Sequence, residues 1–385
     1  MSRPEGFGEP RGGAPMGRRA PMGRHVLVVR QDSVGDVLLA GPAVRAVAAA
    51  AERVTLLCGP RGEAAAALLP GVDEVVVAHA SWIDAAPEPV TRAGVDSLVD
   101  RLVDLAIDQA VVLTSFHQSP LPLALLLRMA GVATIAAISV HYPGSLLDVR
   151  HRVDEDLHEV ERGLSLVATL GFRLPEGDDG SLRVREDVPA DVPDLGDGGY
   201  VVVHPGASVP ARAWAPERHA ALVGALAAAG RRVVVTGGAD ERALTATVAG
   251  GAPAERPEGS GEPQGGAPVD RGVVDLGGRV DLAGLARVLA GAEVVVVGNT
   301  GPAHLAAAVG VPVVSLFSPV VPAVRWRPWK VPQVLLGDQA AACAGSRARV
   351  CPLPGHPCLD GVQVGEVVAA VERLAPLPAR AGVAR

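Results

Sequence analysis

The feature that most constrains the fold of this chain is a regular alternation of two kinds of segment. Short runs rich in valine, leucine and isoleucine alternate with longer stretches rich in alanine and leucine. The short runs are apolar on both faces, which is typical of strands buried in a parallel sheet. Strands that alternate with helices predict βαβ units and a doubly wound α/β fold. The strand-like runs are 25–30, 53–59, 74–79, 109–115, 134–139, 200–206, 231–238, 272–278, 292–299, 312–317 and 333–337.

A segment rich in Pro, Asp and Gly interrupts the alternation, which predicts two Rossmann-like halves joined by a linker. Helix-like stretches include 36–51 and 154–170, the second ending before Gly171. Two such halves place a ligand cleft at the carboxyl ends of their strands. The predicted units are a disordered tail (1–23), an N-terminal domain (24–174), a linker (175–199), a C-terminal domain (200–362) with a flexible insertion (250–271), and a C-terminal helix and tail (363–385).

Composition and charge narrow the class of protein. The chain has 385 residues, of which 49% are hydrophobic and 20% charged, as expected for about two globular domains. Its net charge of −7 disfavours nucleic acid as the main partner, because that partner requires a basic surface. Four cysteines in so long a chain suit a reducing compartment. Without a secretory signal or an apolar run of roughly 18 residues, the chain is expected in the cytoplasm, with contact at a membrane face left open.

The first candidate for chemistry is the turn RQDSVGD after the first strand. Its Asp36 lies near a helix start at the carboxyl end of a strand, where ligands of open α/β sheets bind. A carboxylate there can remove a proton from an attacking hydroxyl, although an aspartate at a helix start is also a common cap. Gly35 permits a close approach or an unusual backbone angle. Gly35 and Ser33 are assigned to the acceptor side of the cleft.

Two turns in the second half carry polar side chains after a strand. Arg212, in HPGASVPAR, is placed to pair with phosphate oxygens, the alternative being a solvated surface arginine. Ser208 in the same turn is a further donor-binding candidate. Glu241 follows a strand that ends in Gly-Gly and is placed to accept a ribose hydroxyl. Position alone favours the alternative, that Glu241 stabilises a helix dipole.

The turn NTGPAH, which begins at Asn299, is the strongest candidate for a phosphate site. A helix that begins near Pro302 offers free backbone N–H groups to an anion. Thr300 and Gly301 form the turn, and His304 lies one turn into the helix, where a buried core histidine is the alternative. Three of the four turns lie in the second half, which predicts that this half binds a nucleotide and the first half the acceptor.

Taken in order, these motifs resemble the heptosyltransferase family, glycosyltransferase family 9. The family patterns appear as RxxxxGDxxL at 30–39, HPGAS followed by RxW at 204–214, TGGxxE at 236–241 and NTGPxHLAAAxGxPVV at 299–314. A cysteine-bearing stretch, 343–359, resembles the family's C-terminal region. The similarity extends over roughly residues 25–374. Asn299 departs from the pattern, because many family members carry aspartate there.

The resemblance implies a GT-B fold and an inverting, metal-independent glycosyl transfer that needs no cofactor. It implies Asp36 as general base, Arg212 on the donor phosphates and Glu241 on the ribose. It also implies diphosphate binding at Thr300, Gly301 and His304, the histidine in its protonated form. The implied donor is an ADP-sugar such as ADP-heptose. The implied acceptor is a glycan or glycolipid of lipopolysaccharide core synthesis, reached at the inner face of the membrane.

Other functions remain open from the sequence alone. A nucleotide-sugar epimerase of the same shape requires further acid and base carboxylates, and a non-catalytic nucleotide-sugar-binding protein does not require Asp36. The missing GxGxxG disfavours an NAD-linked enzyme. No metal is expected, because the spacing of the cysteines in 343–359 lacks the usual CxxC pairs. The acidic run 154–156 opens a helix-like stretch and is assigned to capping.

Overall fold

The computed structural model describes residues 25–84, 87–153, 156–196, 199–250 and 272–377. The predicted tail at 1–23, nearly all of the predicted insertion at 250–271, and the first two residues of the acidic run 154–156 lie outside these residues. Within the described ranges the chain forms two parallel six-stranded sheets, one from each half. Helices cover the sheets, and the expected doubly wound α/β class is confirmed.

The first sheet has the strand order β3-β2-β1-β4-β5-β6, which is the order of a Rossmann fold. Val26 of the central strand pairs with Val54 on one side and with Gln109 on the other. The central strand is buried along its whole length, as a parallel sheet covered on both faces requires. The strands are β1 (His25–Arg30), β2 (Arg53–Cys58), β3 (Glu74–Val77), β4 (Gln109–Val112), β5 (Thr134–Ile138) and β6 (Val149–His151).

The helices of the first half differ from the prediction in one place that bears on the site. The stretch 36–51 was expected as one helix, but the structure has two, which meet at Ala40. Pro42 explains the break, because proline favours the first turn of a helix and disrupts its interior. The helices are α1 (Val34–Leu39), α2 (Gly41–Ala48), α3 (Glu63–Ala66), α4 (Arg92–Asp104), α5 (Leu121–Met129) and α6 (Glu159–Thr169).

The second sheet repeats the first, with the order β12-β11-β10-β7-β8-β9. Its strands are β7 (Tyr200–His204), β8 (Val233–Val235), β9 (Val273–Asp275), β10 (Ala292–Gly298), β11 (Val313–Leu316) and β12 (Gln333–Leu336). Its helices are α7 (Pro216–Ala228), α8 (Arg242–Gly250), α9 (Leu282–Ala290), α10 (Gly301–Ala308), α11 (Ala323–Trp326), α12 (Pro357–Asp360) and α13 (Val364–Leu374).

The segment predicted as a linker packs against the first half in the part that the structure describes. Arg45 donates from Nε to Asp178 at 2.7 Å and also binds the carbonyl of Ser181. Leu182 is buried. The buried side chains of the two halves share one hydrophobic cluster, which contains Val28 and Val295. The described residues include no helix that is both long enough and apolar enough to cross a membrane.

Candidate functional site

The two halves meet where the turn after β1 faces the start of α10. Gly35, in the first turn of α1, is so close to the second half that an added Cβ would lie 2.8 Å from Cδ2 of His304 and 3.3 Å from Cα of Gly301. A Cβ on Gly301 would in turn lie 3.2 Å from a methyl group of Val34. The φ of Gly35 is not positive, so close approach, and not an unusual backbone angle, is the reason for glycine here.

The Gly35 contact leads to our first testable prediction. We expect Gly35→Ala to lower the free energy of unfolding by about 1–3 kcal/mol, since overpacking costs that much. Chemical unfolding measures the effect. Gly224→Ala is the matched control, because nothing lies within 4 Å of a Cβ there, in the interior of α7. Equal unfolding midpoints for the two variants would contradict the prediction.

Asp36 lies at this junction and is held by three donors. Arg30 donates to Oδ1 at 2.8 Å, and the indole Nε1 of Trp326 donates to the same oxygen at 3.3 Å. Ser33 donates its hydroxyl to Oδ2 at 2.8 Å. The side chain remains 19% exposed, so the carboxylate is fixed in orientation and still accessible from the cleft. Ser33, Gly35 and Asp36 therefore all lie at this junction.

Arg30 is the centre of a buried charge cluster that the sequence analysis did not identify. Its guanidinium group lies 2.9 Å from Asp32, 2.8 Å from Asp36 and 3.3 Å from Glu159. It also donates to the Ser115 hydroxyl at 2.9 Å. Burial alone would lower the pKa of Arg30, but the three carboxylates raise it above its ordinary value. Arg30 is therefore a permanent cation that compensates these buried carboxylates.

The carboxylates on either side of Arg30 differ in their ionisation. Burial would raise the pKa of Asp36, but Arg30 and the Ser33 hydroxyl outweigh it and hold that pKa below its usual value. Burial raises the pKa of Asp32 to about 6, against the opposing effect of Arg30. At neutral pH Asp36 is thus ionised, which a proton acceptor must be.

The start of α10 lies directly opposite this carboxylate. Thr300 is the N-cap residue in extended conformation, and its hydroxyl makes no capping hydrogen bond, so the side chain is available to a ligand. Pro302 lies in the first turn of α10, where a backbone N–H would have no partner within the helix, so the missing N–H of proline costs nothing. The structure therefore places Thr300 and Gly301 at a helix N-terminus that faces the cleft, an arrangement that favours anions.

His304 is buried between the two halves and carries a free ring nitrogen. Its Nδ1 atom has no hydrogen-bond partner among the residues that the structure describes. Burial lowers the pKa of His304 to about 4, assisted by His158 and against the effect of Asp36. In the ligand-free protein His304 is therefore neutral at pH 7, and the protonated histidine expected beside a bound diphosphate stays a prediction.

Arg212 and Ser208 follow β7 on the second half. Burial lowers the pKa of Arg212, and the negative charge of Asp36 opposes this effect. The Arg212 guanidinium is therefore near enough to Asp36 to interact with its charge. Its Nε atom is buried without a hydrogen-bond partner in the described part of the chain. Ser208 is exposed in the same loop. Arg212 thus keeps donors available for an anion in the cleft.

Glu241 lies farther along the edge of the second sheet. Its carboxylate accepts the backbone N–H of Gly238 at 2.8 Å and lies 3.9 Å from Nε2 of His204. It covers Gly206, where an added Cβ would lie only 2.0 Å from Oε1. The first of these contacts is a hydrogen bond at the start of the helix, in keeping with the alternative that Glu241 stabilises a helix dipole, and the Glu241 side chain is still 24% exposed.

The side chain of Asn299 is engaged with protein groups. Its amide donates to the Ser318 carbonyl at 3.3 Å, and its Oδ1 accepts the Ser318 N–H at 3.3 Å. These bonds tie the turn after β10 to the turn after β11. The geometry therefore gives no support for direct contact between this side chain and the sugar donor. It supports a role in shaping the turn that contains Thr300.

Several site residues were not found by sequence reasoning. Besides Arg30, Asp32 and Glu159, they include Gln118, whose amide donates to Asp32, and Trp326. Arg30 is the first residue of the RxxxxGDxxL pattern and could have been found from it, but the signal for the others was weak. Ser115 and Gln118 follow a strand, as the motif residues do, but Glu159 and Trp326 lie on helices that no motif marks.

The cysteine-bearing stretch 343–359 carries free thiols. Cys343 and Cys358 are buried, and Cys351 is half-buried. Among the described residues, no group of three or more histidine, cysteine, aspartate or glutamate side chains is arranged to hold a metal ion.

Comparisons with known proteins agree with this architecture. The family model of glycosyltransferase family 9 (heptosyltransferase) matches residues 98–356. Lipopolysaccharide heptosyltransferase 3 of Escherichia coli is 29% identical over 180 residues, which cover 46% of this chain and 47% of that protein. The match thus spans about half the length of this curated relative.

Solved structures show the same fold. The glycosyltransferase family 9 protein of Veillonella parvula superposes with a TM-score of 0.67 at 16% identity, covering 91% of this chain and 97% of that one. The E. coli heptosyltransferase WaaC with ADP-2-deoxy-2-fluoro heptose gives a TM-score of 0.66 at 21% identity, covering 91% and 99%. The predicted GT-B fold and the predicted family are confirmed. This chain belongs to glycosyltransferase family 9, the heptosyltransferase family.

Proposed function

We propose that this protein is an inverting, metal-independent glycosyltransferase that moves a heptose-like sugar from an ADP-sugar to a hydroxyl of a glycan or glycolipid. The observation that carries the proposal is the position of Asp36. An ionised carboxylate on one half lies opposite the N-terminus of α10 on the other half. A proton acceptor and an anion site on opposite sides of one junction are what a transfer from a sugar diphosphate to a hydroxyl requires.

The chemistry follows from these positions. The acceptor hydroxyl attacks the anomeric carbon from the first half, and Asp36 takes its proton as the new C–O bond forms. The bond between the anomeric carbon and the diphosphate oxygen breaks, and its electron pair leaves with the nucleotide. The backbone N–H groups at the start of α10 and the guanidinium of Arg212 stabilise that developing charge. Attack from the side opposite the leaving group inverts the anomeric configuration.

The donor is proposed to lie along the carboxyl edge of the second sheet. The diphosphate lies at the start of α10, with Thr300 and Arg212 beside it. Glu241 follows β8, two strands from β10, and strands are spaced about 4.8 Å apart, so it lies roughly 10 Å along the edge. That separation suits the ribose of a nucleoside diphosphate. The bound ADP-sugar analogue in the WaaC structure supports adenine as the base.

The acceptor is proposed to belong to lipopolysaccharide core synthesis, because a matched relative is a lipopolysaccharide heptosyltransferase. The first half carries Ser33 and Gly35 on the side of the cleft where this acceptor would bind. A cytoplasmic protein that meets its acceptor at the inner membrane face is consistent with the absence of a membrane-spanning helix among the described residues.

Titration calorimetry with ADP, UDP and GDP, without metal, tests the donor site. We expect ADP to bind and Arg212→Ala to weaken that binding at least about tenfold, since charge-assisted hydrogen bonds to phosphate contribute about 1.5–3 kcal/mol. Arg92→Ala is the control, because the Arg92 side chain is 92% exposed on α4 of the other half. Equal affinities for the two variants, or no binding of ADP, would reject the proposed site.

Binding of the diphosphate is also expected to protonate His304. The pKa of this buried histidine is about 4 in the free protein, and a neighbouring anion raises it, so binding near pH 5 takes up a proton. The uptake should vanish as pH rises well above the new pKa. Calorimetry in buffers of different ionisation enthalpy measures it. His304→Gln is the control, because any proton exchange by ADP itself is the same for both proteins. If this variant takes up the same number of protons as the wild type, His304 is not the group that is protonated.

A further inference from the structure

A short segment of the second half, residues 325–330, rests on the first half. The indole of Trp329 donates to the Gly180 carbonyl at 2.9 Å, and its ring stacks on His158 at 4.3 Å between centroids. The ammonium group of Lys330 donates to the Asp179 carbonyl. These contacts fix the end of α11 and the residues that follow it against the first half.

Trp326 lies in this segment and reaches the proposed base. Its Nε1 donates to Oδ1 of Asp36 at 3.3 Å, across 290 residues of sequence. Its ring lies 5.8 Å from the ring of Phe116, which follows β4 in the first half. The neighbouring Arg325 is buried with its guanidinium 4.1 Å over the same Phe116 ring. The indole is therefore held in place by aromatic packing that does not involve Asp36.

The donors around Asp36 are distributed unevenly over its two oxygens. Oδ1 accepts from both Arg30 and Trp326, while among the residues that the structure describes Oδ2 accepts only from Ser33. An ionised carboxylate oxygen offers two lone pairs. Both lone pairs of Oδ1 are therefore occupied, and Oδ2 keeps one free lone pair for a further hydrogen bond.

We propose that Trp326 is a positioning residue for sugar transfer: together with Arg30 it occupies Oδ1 of Asp36 and leaves Oδ2 as the oxygen that receives the acceptor proton. This inference rests on the proposed function. It also means that the orientation of the base depends on the contact between the halves, because one of the two donors to Oδ1, Trp326, comes from the half that is proposed to bind the nucleotide. The acceptor O–H bond breaks toward Oδ2, and the leaving diphosphate takes the electron pair of the glycosidic bond.

The test compares Trp326→Phe with Trp329→Phe, two identical side-chain changes in one segment. Rates of heptose transfer from ADP-heptose are measured over a range of pH. For Trp326→Phe we expect kcat to fall about tenfold with an unchanged KM for ADP-heptose, since a hydrogen bond to a charged group is lost. The acid limb of the profile should move to higher pH, because the indole is one of the donors that lower the pKa of Asp36. Trp329→Phe should show neither change, and equal behaviour of the two variants overturns the proposal.

An NMR measurement that does not depend on activity separates this inference from the proposed function. The chain has four tryptophans, so the indole N–H resonance that is absent in Trp326→Phe identifies this residue, and the other three report that the variant is folded. We expect this resonance, and not that of Trp329, to shift in Asp36→Ala. No shift overturns the contact. If the Trp326 resonance shifts in Asp36→Ala but the wild-type protein transfers no heptose, the contact stands, and the proposed function and the positioning role are both overturned.

Discussion

Replacement of Asp36 by asparagine is expected to lower kcat about a thousandfold, since a general base contributes 10²- to 10⁴-fold to such rates. The amide keeps the size of the side chain and an oxygen for Arg30 and Trp326, but it cannot take up the acceptor proton. ADP affinity should be unchanged, because the proposed nucleotide site lies on the other half. Steady-state transfer rates and calorimetry measure the two quantities.

Asp32→Asn is the matched control for this variant. Asp32 is also a carboxylate beside Arg30, at 2.9 Å, but it is buried and accepts from Gln118. We expect its loss to reduce kcat less than about tenfold, because it does not reach the cleft between the halves. Equal losses in the two variants would remove Asp36 from its proposed role as base.

Replacement of Arg30 by methionine is expected to lower the free energy of unfolding by about 3–5 kcal/mol, the cost of leaving buried charges without their partner. The Arg30 side chain is 5% exposed, and Glu159 beside it is 2% exposed. Without the guanidinium, the pKa values of Asp32 and Glu159, which burial already raises, rise further, and the pKa of Asp36 is no longer held low. The loss in free energy of unfolding is therefore full at high pH, where the carboxylates are ionised. It becomes smaller as pH falls through the raised pKa values, because the carboxylates are then neutral. Denaturant unfolding at about pH 8 and about pH 5 measures it.

Arg231→Met provides the control for burial. The Arg231 side chain is 2% exposed, but its partners Glu293 and Glu372 are 45% and 39% exposed. Water can therefore solvate these carboxylates when the arginine is removed, and a smaller loss is expected. Arg30 would not compensate buried carboxylates as described if Arg30→Met lost no more free energy of unfolding than Arg231→Met. The same holds if the loss for Arg30→Met became larger as pH falls.

The sequence predicted well those features that depend on neighbours along the chain. Valine-rich runs identified most of the strands, and glycine-containing turns identified the ends of β1 and β10, where Asp36 and Thr300 lie. It missed β6, because this three-residue strand is only half-buried and lacks an apolar run. It also joined α1 and α2 across Pro42, since the alanine-rich composition continues on both sides of the break.

Contacts between distant residues could not be predicted in the same way. Glu159 lies 129 residues from Arg30, and Trp326 lies 290 residues from Asp36. A pattern of hydrophobicity shows that a side chain is buried but not which partner it meets. The low pKa of His304 in the ligand-free protein could not be predicted for a related reason, because it depends on burial between two halves and not on the position of the residue in a motif.

The glycines at the junction have a consequence for turnover. At Gly35 and Gly301 the two backbones approach each other closely, with the side chains of His304 and Val34 packed beside them. We therefore expect release of the nucleotide that is proposed to bind here to involve a movement of one half away from the other, in which the close contact at Gly35 and Gly301 separates.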